Sequence, residues 1–394
     1  MYDVIVVGAR CGGAATALLL ARAGHRVLMV DRASFPSDMR MSTHMIWPAG
    51  IARLARWGLL DTLVASGCPA MPESTFDVGP FALRGCAPAV DGIRDCYVPR
   101  RTVLDALLVD AAVAAGAQLW EGVSVDGLLT DGDTVIGIRG RRGGRTVTAR
   151  ARLVVGADGT RSRVASLVGA PTYHERPAVQ GAYFSYWSGV PVDGGALYPR
   201  DGHTVYAFPT HDDLTLVGVN WRIDTWRRVR GDIAGEHFRA VAGAAPALAQ
   251  ALAAGRREER WVGAATPGFF RRPYGPGWAL VGDAGYTKDP CTAQGISDAF
   301  RQAEWLAAAV DDGFAGRRPM QAALADYQRV RDEAALPTYE FTCEAARMEP
   351  SPEMGAYLAS LQGDPAGIER FFGVFAGTVP PHELFGPPSG SVAA

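Results

Sequence analysis

Asp3-Val4-Ile5-Val6-Val7-Gly8-Ala9-Arg10-Cys11-Gly12-Gly13 stands almost at the start of the 394-residue chain and sets how the rest is read. Residues 4–7 form an apolar run of the length expected for a strand buried on both faces. Residues 14–23 are strong helix formers, Gly24 stops them, and Arg26-Val27-Leu28-Met29-Val30-Asp31 makes a second strand. Glycine in the turn, and again where helix meets strand, lets a helix N-terminus face a pyrophosphate; an acid closing the second strand reaches a ribose hydroxyl. Gly8, Gly12, Gly13 and Asp31 hold those places, with Cys11 inside the turn. The second glycine of Gly-x-Gly-x-x-Gly is Arg10, so this side chain either turns outward or offers its guanidinium to phosphate. A turn that merely packs a helix on a strand is the plain alternative; the strand–helix–strand setting and the acid favour a dinucleotide.

Two more strand–turn–helix units follow, at 153–168 and 278–310. The first carries Gly156-Ala157-Asp158-Gly159-Thr160-Arg161-Ser162-Arg163, which alone reads only as a turn. The second carries Gly282-Asp283-Ala284, then Gly285-Tyr286-Thr287-Lys288-Asp289-Pro290-Cys291-Thr292-Ala293-Gln294-Gly295 and a helix from near Ile296. A strand ending on Gly-Asp presents a carboxylate at the carboxyl edge of the sheet, where open α/β sheets bind ligands. Pro290 stiffens a loop whose N–H groups, at a helix N-terminus, hold partial negative charge. The separation of the units predicts one sheet assembled from distant segments. The fold class is therefore α/β, a Rossmann-like domain with an inserted antiparallel sheet and a helical C-terminal region.

The insertion spans 179–221, where Ala182-Tyr183-Phe184-Ser185-Tyr186-Trp187, Thr204-Val205-Tyr206-Ala207-Phe208-Pro209 and Leu214-Thr215-Leu216-Val217-Gly218-Val219-Asn220-Trp221 read as antiparallel strands; 73–98 is expected to join them. Alternation places Tyr183 and Ser185 opposite Phe184 and Tyr186, and Tyr206 with Phe208 on one face. Phe184, Tyr186, Tyr206 and Phe208 could line a flat apolar pocket, or simply fill a core. The last eighty or so residues look helical to about Phe375, before a Pro387-Pro388-Ser389-Gly390 tail expected to be disordered.

The charge balance, 39 basic against 41 acidic residues, gives no footprint for nucleic acid or an anionic membrane. Small-molecule partners are expected. The six cysteines have no Cys-x-x-Cys pair and no histidine at metal spacing, so they read as reduced thiols in a cytoplasmic protein without a metal. No apolar run reaches the roughly 18 residues of a membrane span, and no cleavable leader is visible. Of the 39 basic residues, one is lysine, Lys288.

In order and spacing, the three motifs resemble the FAD-dependent monooxygenases of the para-hydroxybenzoate hydroxylase type, with their geranylgeranyl-reductase-like and halogenase relatives, over roughly residues 1–325. The resemblance implies that Gly8, Arg10, Cys11, Gly12, Gly13, Asp31, Arg32 and Arg40 hold the adenosine and pyrophosphate half of FAD. It places Asp158 and Gly159 near the pyrophosphates, Gly282 and Asp283 on the ribityl chain, and Pro290, Ala293, Gln294, Gly295 and Ile296 beside the isoalloxazine ring. Arg101, in Arg101-Thr102-Val103-Leu104-Asp105, adds a further flavin contact. The implied division is a discontinuous FAD-binding domain at 1–72, 98–175 and 268–325, a substrate-binding sheet domain at 73–97 and 176–267, a helical region at 326–387, and a tail at 388–394.

The implied reaction is NAD(P)H- and O2-dependent hydroxylation or epoxidation of a small, aromatic or polyketide-like secondary metabolite through a flavin C4a-hydroperoxide. His44, in Met41-Ser42-Thr43-His44-Met45-Ile46-Trp47, is the foremost acid/base candidate, with Tyr286 and Pro290 also placed at the reacting centre. His174, His203, His211 and His237 fall in loops or turns and read as solvated. The sequence departs from the family pattern at Gly285 and Tyr286, where Ala-His is usual, at Ala293 in place of a loop glycine, and at Ala165 where an arginine usually closes the Asp-Gly motif. A halogenase is disfavoured by the lack of Trp-x-Trp-x-x-Pro and by a sole lysine set in the proline loop. A geranylgeranyl-reductase-like reductase or dehydrogenase is the alternative, and a non-catalytic flavoprotein partner the third reading.

Overall fold

The computed structural model describes residues 1–39, 41–349 and 351–384. Arg40 and the tail at 388–394 lie outside the described residues.

Five parallel strands run in the order Gln118–Trp120, Val27–Val30, Tyr2–Val7, Arg145–Gly156, Trp278–Leu280, with Tyr274–Gly275 antiparallel at the edge. The three motif-bearing strands are thus adjacent, although they start near residues 2, 145 and 278. Pleating sorts their side chains. Val4, Val6, Met29, Leu153 and Val155 pack beneath helices Cys11–Arg22, Arg101–Ala114, Gly295–Phe314 and Met320–Ala345. Ile5, Val7, Leu28, Val30 and Val154 face the meander of Val123–Asp131, Thr134–Arg142 and the start of Arg145–Gly156. Arg139, Arg141, Arg142, Arg145 and Arg150 stand exposed on that meander, a basic strip that the near-neutral total conceals.

The second sheet runs Arg256–Arg257, Gln180–Ser188, Thr215–Arg222, His203–Pro209, Gly195–Arg200, Ser74–Asp77, Ala82–Gly85. Its pairings are antiparallel except one: Ser74–Asp77 adds parallel to Gly195–Arg200. The expectation for 73–98 therefore holds only in part, because Cys96–Tyr97 pairs with Ala70–Met71 and, through Tyr97, with Ile46. Alternation separates the faces as expected. Tyr183, Trp187, Val205, Val217 and Val219 lie under helices Ile233–Ala244 and Pro246–Ala254. Phe184, Tyr186, Tyr206, Phe208 and Leu216 face Met45, Trp47 and the helices Pro352–Ser360 and Pro365–Ala376.

The histidines need correction. His237 sits inside helix Ile233–Ala244, buried between Trp187 and Trp261, and burial pulls its pKa down to about 3. His211 is buried as well, accepting the Arg100 N–H at Nδ1 (3.1 Å) with Ser66 Oγ 2.9 Å from Nε2. His203 lies in a strand. Helix Met320–Ala345 runs through the expected boundary at 325/326 and contributes Ala323, Leu324 and Tyr327 to the core of the first sheet.

Gly218 explains how the aromatic face closes. It pairs with both Tyr206 and Phe184, and a Cβ there would lie 2.2 Å from Tyr206 Cζ, so the phenol ring lies across the neighbouring strand only because that strand offers no side chain. Gly218→Ala should cost about 1–3 kcal/mol of unfolding free energy, the usual range for overpacking. Pairing it with Tyr206→Leu should recover most of the loss in urea denaturation; two additive losses would refute this packing.

Candidate functional site

The three motifs meet at the carboxyl edge of the parallel sheet. Gly8 has a left-handed backbone (φ +98°), and a Cβ there would sit 2.4 Å from Ala157 O; one on Gly13 would sit 1.8 Å from Gly8 O. Both glycines are obligatory. Gly12 differs: a Cβ would lie 3.7 Å from the Gly282 backbone, so the opening turn and the Gly-Asp turn approach backbone to backbone. Thr160 Oγ1 donates to Asp283 Oδ2 (3.4 Å), joining the Asp-Gly motif to the Gly-Asp motif.

Much of the polar inventory fastens this edge. Asp31 accepts the N–H of Ala9 and of Ala33, both at 2.8 Å, and so ties the glycine turn to the end of its strand. Ser162 caps helix Arg163–Leu167 by accepting the Ala165 N–H (2.9 Å), and Asp158 braces the same end, accepting Ser162 Oγ (2.5 Å) and the N–H groups of Arg163 (2.6 Å) and Val164 (3.2 Å). Arg10 follows neither expected direction. Its guanidinium turns to the fully buried carboxylate of Asp105 (2.6 Å) and to Ser37 and Asp38, since a buried anion demands a partner. Arg101 holds the other Asp105 oxygen (2.8 and 3.1 Å), and the Cys11 thiol, kept protonated by burial, donates to it (3.4 Å). Arg32 is exposed beyond Asp31.

Asp283 is open to solvent at this edge, yet protein crowds its other sides. That loss of bulk water raises its pKa, against the opposing pull of Arg101 and the Thr160 hydrogen bond. Among the described residues, neither helix that begins here has a side-chain cap: Arg10 precedes Cys11–Arg22 and Gln294 precedes Gly295–Phe314, both directed elsewhere. Their first N–H groups remain available to an anion. Gly159 and Gly295 have open space where a Cβ would stand.

The proline loop is rigid for local reasons. Asp289 caps the turn Pro290–Thr292 through the Cys291 N–H (3.0 Å) and accepts the Gln180 amide (2.5 Å). Ala293 adopts the left-handed conformation (φ 53°), which accounts for the glycine usual there in the family. Ile296 is buried in the helix core and Pro290 is exposed. Lys288 is buried against Asp298 (2.9 Å) and the Gln294 amide oxygen; burial pulls its pKa down and the ion pair opposes this. Gln294 in turn donates to Phe375 O (2.6 Å), fastening helix Pro365–Ala376 to the loop.

His44, from the segment before helix Pro48–Arg56, and Tyr186, from strand Gln180–Ser188, come together. The imidazole, 1% exposed and in a left-handed backbone conformation (φ 65°), is hydrogen-bonded through Nε2 to the Tyr186 hydroxyl and stacked on its ring. Burial first, then Arg101, Arg100 and His211, holds His44 neutral far below the ordinary 6.5. Its Nδ1 is buried without a partner, as is Tyr206 Oη. Arg100 stacks on Tyr186 with its carbon 4.0 Å from the ring centroid, and is ion-paired with Glu259. Trp47 Nε1 donates to Thr292 O (2.9 Å), docking the His44 segment on the proline loop. Tyr286 is set apart, packed with Phe270, Ala335 and Tyr339.

A family model described as an FAD binding domain matches residues 1–341. The chain belongs to this FAD-binding family. It is 27% identical over 310 residues to digeranylgeranylglycerophospholipid reductase of Methanocella arvoryzae (76% of this chain, 74% of the relative). It is 26% identical over 306 residues to 6-methylpretetramide 4-monooxygenase of Streptomyces rimosus (76% and 73%). The fold is shared with the flavin-dependent brominase Bmp2 at a TM-score of 0.83, 18% identity and coverage of 95% of this chain and 93% of that one. The chain is an FAD-dependent oxidoreductase of this superfamily, as the motif order led us to expect.

The residues present fit FAD. The uncapped helix N-termini suit its pyrophosphate and pyrimidine edge, the accessible Asp283 carboxylate suits its sugar hydroxyls, and the bare faces of Gly159 and Gly295 leave room for it. Sequence reading missed Asp105, Thr160 and Arg100, although Asp105 and Thr160 stand within quoted motifs. Asp105 stood four residues after Arg101, and an i,i+4 acid after a buried arginine was the available signal. The others lack a periodic signature.

Asp289 yields a pH test. Burial pushes its carboxyl up to about 6 from an ordinary 3.8, and its Oδ2 has no partner. A raised carboxyl pKa contributes stability that is complete below about pH 4 and lost as pH rises through about 6. Two units at about 1.4 kcal/mol each amount to about 3 kcal/mol at most. Asp289→Asn, which keeps an acceptor for Gln180 and Cys291, should therefore melt higher than wild type at pH 8 and alike at pH 4. A lower melting temperature at pH 8 would contradict this.

Proposed function

We propose that this protein is an FAD-dependent monooxygenase that inserts one oxygen atom of O2 into a small, neutral aromatic or polyketide-like molecule, with NAD(P)H as reductant. FAD, when bound, supplies the hydride acceptance from NAD(P)H and the activation of O2. The observation that carries the reading is the buried His44–Tyr186 pair, formed between the inserted aromatic sheet and the segment docked on the proline loop.

Gly8, Gly12 and Gly13 with the N-terminus of helix Cys11–Arg22 would receive the pyrophosphate, Asp283 the ribityl hydroxyls, and the N-terminus of Gly295–Phe314 the pyrimidine edge of the flavin. Arg101, anchored by Asp105, adds positive potential close by. Phe184, Tyr186, Tyr206 and Phe208, all buried, form the wall against which a flat substrate lies, and helix Pro365–Ala376 covers it. Exclusion of water by this wall protects reactive oxygen from wasteful decay. His44, held neutral, acts as a hydrogen-bonding group that orients a substrate hydroxyl and draws on its proton, with Tyr186 fixing the ring. The 6-methylpretetramide 4-monooxygenase relative supports the oxygenase reading. The reductase relatives support a second reading, reduction of an unsaturated substrate.

Turnover in labelled O2 separates the two: one labelled oxygen per product and NAD(P)H consumption stimulated by substrate are expected, whereas unlabelled product formed anaerobically indicates the reductase. Asp283→Ala should be purified colourless; retention of full flavin content would remove Asp283 from the cradle. His44→Gln should keep FAD yet turn over about 10²-fold more slowly. With the imidazole neutral throughout, the wild-type kcat/KM profile should show no histidine limb near pH 6.5. A limb there that His44→Gln abolishes would contradict this role.

A further inference from the structure

Arg271 and Arg331 belong to none of the motifs, yet both end on the carbonyls of the turn that carries Asp283. Arg271 donates from Nη1 to Ala284 O (2.8 Å) and from Nη2 to Thr160 O (3.2 Å), so a single guanidinium bridges the Gly-Asp and Asp-Gly motifs. It stacks on Phe269 at 4.1 Å and, among the described residues, forms no ion pair. With Asp158 and Glu175 near it but neither in a direct ion pair, the guanidinium is committed to two backbone carbonyls, an arrangement whose strength is spent on geometry. Arg331, from helix Met320–Ala345 and 0% exposed at its side chain, donates to Gly285 O (3.1 Å), Arg271 O (3.0 Å) and Tyr173 Oη (2.6 Å) and pairs with Asp332. Gly285 O also accepts the Arg271 N–H at 2.8 Å.

This explains a departure from the family pattern that the cofactor assignment leaves open. At Gly285, where alanine is usual, a Cβ would lie 3.2 Å from Arg331 Nη1 and 3.3 Å from Leu280 Cβ. A guanidinium boxed in by four partners has nowhere to give, so the arginine and the glycine require each other.

We propose that Arg271 and Arg331 are positioning residues for the cofactor: they set the gap between Thr160 and the Gly282–Ala284 turn and thereby place the Asp283 carboxylate. Removal of Arg271 leaves the carbonyls of Ala284 and Thr160 without their shared donor, and the crevice relaxes. Through Arg331 the C-terminal helical region becomes part of the cofactor site. The inference rests on the assignment of this crevice to FAD.

The test is FAD affinity of the full-length flavin-stripped protein, read by quenching of flavin fluorescence, beside its thermal stability and amide hydrogen exchange. Arg271→Gln should raise the FAD Kd about 10- to 100-fold, the range expected when a charge-assisted hydrogen bond that shapes the crevice is lost, with the melting temperature lowered by no more than a few degrees. Arg271→Lys, which keeps the charge but cannot span both carbonyls, should fall between. Gly285→Ala should weaken FAD in the same direction. In the flavin-free state Arg271→Gln should speed exchange at residues 282–287 and not elsewhere. A Kd within twofold of wild type, or exchange raised equally throughout the chain, overturns the proposal. Wild-type protein that fails to take up FAD defeats the cofactor assignment instead, and the exchange pattern then decides on its own whether the arginines hold the turn. Arg331→Met, at a buried site, is read only if it folds; Arg271→Gln, half-exposed, carries the test in any case.

Discussion

Backbone meets backbone between Gly12 and Gly282, and the architecture of the site follows from that approach. Two helices, Cys11–Arg22 and Gly295–Phe314, begin side by side at the carboxyl edge of one parallel sheet, with only the methyl of Ala299 set against Gly12 and Gly282. Their unsatisfied N–H groups thus converge on one crevice, a preorganised field that, in the function proposed above, would receive the pyrophosphate and the flavin that gains negative charge on reduction. Such an approach is possible only if the strands carrying the turns are neighbours in strict register. The pairing of Val7 with Gly156 and of Gly156 with Leu280 provides it.

The polar residues nearby stabilise this geometry more than they decorate it. Asp105 gathers Arg10, Arg101 and Cys11; Asp31 and Asp158 spend their carboxylates on backbone N–H groups. Asp283 alone among these carboxylates is left open, which marks it as the group with business outside the protein. The inserted sheet supplies the opposite wall. Its alternation gives one face to helices Ile233–Ala244 and Pro246–Ala254 and turns the aromatic face toward His44, and Gly218 lets Tyr206 lie flat on that face.

How far this could be read from the chain depended on the kind of information. Periodicity and turn chemistry are local, so the Gly8–Gly13 turn, the Asp-Gly and Gly-Asp turns, the strand alternation at 182–187 and the helical C-terminal region were all legible. Pairings between distant side chains are not. The turn chemistry points Arg10 either outward or to a phosphate, while its actual partner, Asp105, lies on another helix. Tyr286 was placed by analogy at the flavin and lies instead in an aromatic cluster with Tyr339, because strand Tyr286–Thr287 turns that ring toward helix Met320–Ala345. His237 looked solvated because its helix was not recognised. Lys288, the sole lysine, was rightly located in the loop, but its charge is consumed by Asp298.

The central claim is that three segments far apart in sequence build one FAD crevice, roofed by the inserted sheet. A crystal structure of the flavin-loaded protein tests it most directly. The account predicts FAD across the carboxyl edge, its pyrophosphate between the turns at Gly12 and Gly282, its ribityl chain at Asp283, and its ring between the proline loop and the His44–Tyr186 pair. FAD bound at any other edge or face, or a ring turned away from His44, would contradict it.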